Sequence, residues 1–187
     1  MTLATLAVLL FAVAWIPVVL LRDGRSPQRR TEPAPDERRS AWNAALAVVV
    51  HVTLAALALR DAGADAAPVR LVTGILVALV GLAFWTLAWQ ALAADGLRRD
   101  PTAPTPALVT HGPFAIVRHP LALGMAILAL GPAVAAATAL TWASFAAVVA
   151  ALARRAMQDE VELRATFGTA YATYAEATRN RLIPFVW

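Results

Sequence analysis

Three stretches of this chain, Ala41–Leu59, Leu71–Ala93 and Leu121–Ala153, contain no Asp, Glu, Lys or Arg. A helix that crosses a bilayer needs about 20 predominantly apolar residues, and each stretch approaches or exceeds that length. The charges collect in the gaps between them. With 60% hydrophobic and 15% charged residues over a length of 187, the chain stands well away from an ordinary globular domain, which is roughly 45–50% apolar and roughly 25% charged. It is also too apolar for a disordered segment. The absence of cysteine removes disulfide scaffolds, thiol nucleophiles and thiolate metal sites from consideration. A small polytopic membrane protein is the reading that remains.

All 16 basic residues are arginine, against 12 acids, for a net charge of +4. Such a balance is compatible with nucleic acid, but the arginines punctuate apolar runs and do not form a phosphate-binding stripe. Residues 1–21 form a further apolar run, with Arg22 and Arg25 following it. A secretory signal has its positive region first, so the expectation is a retained span with its N-terminus outside. Residues 22–40 are a linker with three prolines. The 33-residue block Leu121–Ala153 is too long for one span and carries Gly131-Pro132. It reads as two helices, 121–136 and 140–153, turning near Ala136–Thr141.

The expected fold class is therefore all-α, a single integral-membrane domain over 1–187 with five spans (1–21, 41–59, 71–93, 121–136 and 140–153). A cytoplasmic helical segment, 154–187, follows and is broken at Gly168. In this arrangement fourteen of the sixteen arginines fall on the cytoplasmic side, as the positive-inside rule requires. Arginine-only, alanine-rich usage fits a GC-rich bacterial genome and hence an inner-membrane location. Alanine and scattered glycine in the spans allow close helix approach.

Two segments carry chemistry. In His111–Pro120, HGPFAIVRHP, a Gly-Pro turn and a flat ring lead to Arg118-His119-Pro120 at a helix start, where free N–H groups and the positive dipole end favour an anion. The same residues also suit an interface anchor, with Arg118 snorkelling. In Arg154–Pro184, Arg155 and Asp159 are spaced to meet on one helix face, with Glu160 beside them. On an unbroken helix Glu160, Leu163, Phe167, Tyr171 and Tyr174 would share a face. The tyrosines read as interfacial anchors. His51 is the ionisable group inside a span, and the expectation is a neutral imidazole bonded to a neighbouring helix, with a proton relay or haem ligand as the alternative. Metal sites and nucleotide-binding glycine loops are not expected.

Taken together, LVTHGPFAIVRHPLALG and DEVELRATFGTAYATYAEATRNRLIP resemble the isoprenylcysteine carboxyl methyltransferase and phospholipid methyltransferase superfamily of integral-membrane methyltransferases. The match covers residues 108–184, within a cofactor-binding core of 106–184. The resemblance implies S-adenosylmethionine bound between the loop before the fourth span and the C-terminal helix. It would be held by Leu108, Val109, Phe114, His119, Pro120, Leu121, Ala122, Asp159 and Glu160, with Arg155 and Arg118 as catalytic residues. Arg155 would face the methyl acceptor, a lipophilic or membrane-associated molecule. Three positions depart from the family pattern. Ala122 replaces a tyrosine, Asp159 replaces a glutamate, and Phe114 lacks a hydroxyl. The acceptor's class (carboxylate, amine or thiol) stays open, as does the need for a general base. Two alternatives are a non-enzymatic, denitrification-linked membrane protein of the same fold and a membrane NADPH-dependent reductase.

Overall fold

The computed structural model describes residues 46, 48–59, 68–97 and 108–182. Among these residues the regular structure is helical, without strands: α1 (Val48–Leu59), α2 (Pro68–Leu97), a 3-10 turn (Gly112–Ala115), α3 (Pro120–Ala136), α4 (Ala139–Phe167) and α5 (Thr169–Ala177). Two of them, α2 and α4, are long and apolar enough to cross a membrane, while α1 and α3 are shorter apolar helices. The expected first span, the proline-rich linker, the start of the second span and residues 98–107 lie outside the described residues, and residues 94–97, expected in the loop, continue α2.

Helices α2 and α3 share the most extensive interface, and its basis is visible in the residue spacing. Buried positions on α2 are Leu71, Gly74, Ala78, Gly81, Trp85, Ala88 and Leu92, alternating steps of three and four as in a left-handed helix pair. The facing seam of α3 uses Pro120, Gly124, Leu128, Gly131 and Ala135. The helices run antiparallel and come so close that a Cβ at Gly131 would lie 2.5 Å from the Gly74 carbonyl oxygen, and one at Gly124 would lie 2.8 Å from Trp85 Cα. Small residues at such a seam exchange side-chain volume for backbone proximity, and dispersion then holds the pair.

The turn between the fourth and fifth expected spans falls where the sequence places it. Helix α3 ends at Ala137, a left-handed residue with φ 51°. Thr138 then caps α4, its hydroxyl accepting from the Thr141 N–H while the Thr141 hydroxyl accepts from the Thr138 N–H. This reciprocal pair satisfies two otherwise orphaned donors. Gly131-Pro132 does not interrupt α3, although Pro132 deprives the Leu128 carbonyl of its usual donor. A larger difference concerns the C-terminal segment. The expected fifth span and the polar segment after it form one continuous 29-residue helix, because no Pro or Gly occurs between Ala139 and Phe167. The break does come at Gly168, whose φ of 52° and ψ of −122° suit glycine alone.

His51 pins α1 to its neighbours. It is fully buried, with Nε2 2.8 Å from the Ala129 carbonyl of α3 and Nδ1 2.8 Å from the Ser144 hydroxyl of α4. A carbonyl only accepts, so Nε2 carries the proton, while the Ser144 hydroxyl beside Nδ1 also donates to the Thr141 carbonyl at 2.9 Å. The imidazole bonds to neighbouring helices, as the sequence led us to expect.

Candidate functional site

At the end of the hairpin formed by α2 and α3, the loop before α3 meets the C-terminal half of α4, α5 and the chain that follows. The loop is shaped locally. Gly112 takes a φ of 61°, and the Phe114 and Ile116 N–H groups close back on the carbonyls of His111 and Pro113. Val109 and Val117 bury their side chains beneath it. This delivers Arg118 and His119 to the start of α3, with Pro120 as its first residue, where the missing N–H is harmless.

The returning chain fixes this loop from above. Backbone N–H groups of Arg118 and His119 donate to the carbonyls of Asn180 and Arg181 at 2.9 and 3.0 Å. The Asn180 amide donates to the Ile116 carbonyl at 3.2 Å, and the Tyr174 hydroxyl to the Phe114 carbonyl at 2.8 Å. Two donors that the sequence offers to an anion, the N–H groups of Arg118 and His119, are therefore occupied. Those of Leu121 and Ala122, next along α3, have no intrahelical carbonyl to reach.

Glu160 is the centre of the charged arrangement. Its carboxylate, 7% exposed, lies 2.8 Å from Arg118 Nη1, 3.5 Å from His119 Nε2, 3.4 Å from Arg181 Nε and 3.8 Å from Arg164 Nη2. One buried carboxylate thus faces three arginines and a histidine. Arg118, at 8% exposure, is turned into this cluster, so the snorkelling anchor is not what the structure shows. Its Nη2 also donates to the Arg179 carbonyl at 3.3 Å.

Asp159 occupies a different environment from its neighbour. It pairs with Arg155 at 3.8 Å on a partly exposed flank of α4, the pairing expected from the four-residue spacing. Arg155 Nη1 and Gln158 Oε1 are buried there without a hydrogen-bond partner.

The two tyrosines are not interfacial anchors. Tyr171 is fully buried and Tyr174 nearly so, their rings 5.9 Å apart in an edge-on arrangement, with the Arg164 guanidinium 5.8 Å from the Tyr171 centroid. The turn at Gly168 takes them off the α4 helical face that Glu160 shares with Leu163 and Phe167, so their approach to the cluster is tertiary. Burial raises the Tyr171 phenol, assisted by the Glu160 charge and opposed by Arg118. Burial, and then Tyr171, raise Tyr174 still further.

Of the residues singled out in the sequence, the structure brings Arg118, His119 and Glu160 together and ties the Phe114 carbonyl to the Tyr174 hydroxyl. It sets Arg155 with Asp159 on a separate flank. Leu121 and Ala122 pack against the core of the hairpin. Sequence reasoning missed Arg164, Arg181 and Asn180. Arg164 was detectable, being four residues beyond Glu160 on the same helix. Arg181 and Asn180 reach the loop only because the chain folds back after α5, which no local periodicity announces. Among the described residues no group of three His, Asp or Glu side chains could hold a metal ion. Compared with protein-family models and with curated proteins, the chain matches none.

Proposed function

We propose that this protein is an integral-membrane methyltransferase that uses S-adenosylmethionine to methylate a lipophilic or membrane-associated acceptor. It would have five spans, an outer N-terminus and a cytoplasmic C-terminus in a bacterial inner membrane. One observation carries the reading. The two segments that resemble the methyltransferase superfamily meet through side chains, Arg118 and His119 from one and Glu160 from the other.

The residues present fit the cofactor. Its methionine end bears a carboxylate and an ammonium, and the cluster has more cations than its single carboxylate neutralises. Arg118 Nε and Tyr171 Oη are buried there, the phenol within reach of the Arg118 guanidinium, and the N–H groups of Leu121 and Ala122 lie at the same end of α3 with no intrahelical acceptor. Arg118, His119 and these N–H groups would take the carboxylate through charge-assisted bonds. Asp159 would take the ammonium, and Glu160 would hold the cations in place. Leu108 and Phe114, partly exposed, would supply apolar surface, while Val109 and Pro120 are buried and would support it from beneath. When bound, the cofactor supplies a methyl group already activated on a sulfonium. The protein's own task is then alignment and exclusion of water, of which alignment alone is worth up to roughly 7–11 kcal/mol. Arg155, with its unpartnered Nη1, would orient a carboxylate or phosphate on the acceptor. Where the acceptor is an amine or thiol, His119 or a pocket carboxylate receives the proton.

Calorimetric titration of the detergent-solubilised protein with S-adenosylmethionine tests this. Binding is expected in the wild type and should weaken at least about tenfold, near 1.4 kcal/mol, in Arg118→Lys and in Asp159→Asn. Absence of binding by the folded wild type overturns the reading. Transfer of labelled methyl to lipid extract, or to small thiols and amines, then separates the acceptor classes.

A second reading draws on a specific feature. Glu160 already has three arginines and a histidine as partners, so the clamp is complete as a structural element. A non-enzymatic membrane protein with this architecture would bind no S-adenosylmethionine. Tight NADPH binding in the same titration would instead indicate a reductase.

A further inference from the structure

Helix α4 carries an outward face that the hairpin does not use and of which the clamp engages only Arg164, 3.8 Å from Glu160. Its first part, 139–153, rises only about 22 Å at 1.5 Å per residue, short of a hydrocarbon core about 30 Å thick. Beyond it the apolar face does not stop. Met157 is 47% and Val161 70% exposed, each about 100° round the helix from the buried Ala156 and Glu160 that precede them. Arg154 and Arg164 bracket them on the same face, so that Arg154, Met157, Val161 and Arg164 follow one another at steps of three, four and three. Arg154 is exposed and the Arg164 side chain is 57% exposed. The acids of this stretch, Asp159, Glu160 and Glu162, occupy the far side and its flanks.

Apolar side chains enclosed by arginines match the boundary between acyl chains and phosphates, where an amphipathic face buries its apolar residues and its cations meet anionic headgroups. We infer that the Arg154–Met157–Val161–Arg164 face is a binding surface for anionic phospholipid. The surface continues the lipid-facing side of α4, and its charge selects the lipid. The inference rests on the membrane part of the proposed function and is independent of the reaction. It places the mouth of the clamp, on the adjoining sides of the same helical turns, at headgroup depth.

The absence of cysteine permits a direct test. Val161→Cys and, on the exposed side of α2, Leu79→Cys are labelled with an environment-sensitive fluorophore. The full-length protein is then reconstituted into vesicles of phosphatidylcholine with brominated phosphatidylcholine or brominated phosphatidylglycerol as quencher. At position 79 both lipids should quench equally. At position 161 the brominated phosphatidylglycerol should quench at several-fold lower mole fraction. Arg154→Gln should reduce that preference roughly fivefold, the worth of one interfacial arginine, and Arg154→Gln/Arg164→Gln should abolish it. Equal quenching by the two lipids at 161 overturns the inference, as does quenching by aqueous iodide in place of lipid. Shielding from both quenchers, as a second copy of the chain would produce, also overturns it. Failure of lipid to quench at position 79 would instead overturn the membrane reading itself.

Discussion

The hairpin of α2 and α3 and the clamp at its end are held by opposite means. In the hairpin, cohesion comes from what is missing. Glycines remove side chains, the backbones touch, and no charge is present along the seam. In the clamp, cohesion comes from four ionisable side chains around Glu160, drawn from the loop before α3, from α4 and from the chain after α5. The first is made of two neighbouring helices with repeating residue spacing, and each layer resembles the next. The second has a single centre, and every partner depends on it. A local fault in the hairpin should therefore be partly absorbed by the layers around it, whereas a fault at Glu160 should be felt throughout the clamp.

The largest effect is expected from Glu160→Ala. Removing one partner of a buried ion cluster leaves uncompensated charges and typically costs about 3–5 kcal/mol. Thermal unfolding in detergent should show it, and limited proteolysis should open the segment after α5 before the hairpin. If the hairpin opens first, the two regions are not separable. Gly131→Val comes next. Its Cβ would press on the Gly74 carbonyl, and overpacking of this kind costs about 1–3 kcal/mol, measured by the same unfolding assay. A change below about 0.5 kcal/mol would show the seam to be looser than its geometry implies.

The clamp's dryness can be probed by alkaline titration, since Tyr171 and Tyr174 are the chain's two tyrosines. Both phenols are raised above their ordinary value by burial. A raised folded-state value means that their contribution is fully present below about pH 10 and is lost as the pH climbs through the folded values. Tyrosinate absorbance should therefore appear at higher pH in the folded protein than in the denatured chain. Coincident curves would mean that water reaches the clamp freely. The smallest effect is expected at the hairpin's far end. Ala137 holds a left-handed conformation, so Ala137→Gly should stabilise by about 1 kcal/mol by removing the Cβ clash. A destabilisation would show that the tight turn is not where strain resides.

What the sequence alone determined is what depends on neighbours along the chain. The 3.6-residue repeat and the runs without charge set the helices. The length of the uncharged block placed a turn near Ala136–Thr141, Gly168 marks the break before the tyrosines, and the four-residue step brings Arg155 to Asp159. Even His51 could be assigned a neighbouring helix, because a buried imidazole needs partners. The continuity of α4 through Ala153 was hidden by a change of composition that is not a change of conformation. What only the tertiary structure decided is which of two adjacent acids becomes the centre of the clamp. Asp159 and Glu160 are nearly the same chemically, but they are about 100° apart on the helix. Packing turns Glu160 toward Arg118 and His119 and leaves Asp159 on the flank with Arg155. Arg181 joins because the chain after α5 returns across the loop, a contact spanning more than sixty residues from Arg118. Local periodicity specifies directions around a helix axis. Which direction faces a partner depends on the packing of whole elements, and that is where this site is made.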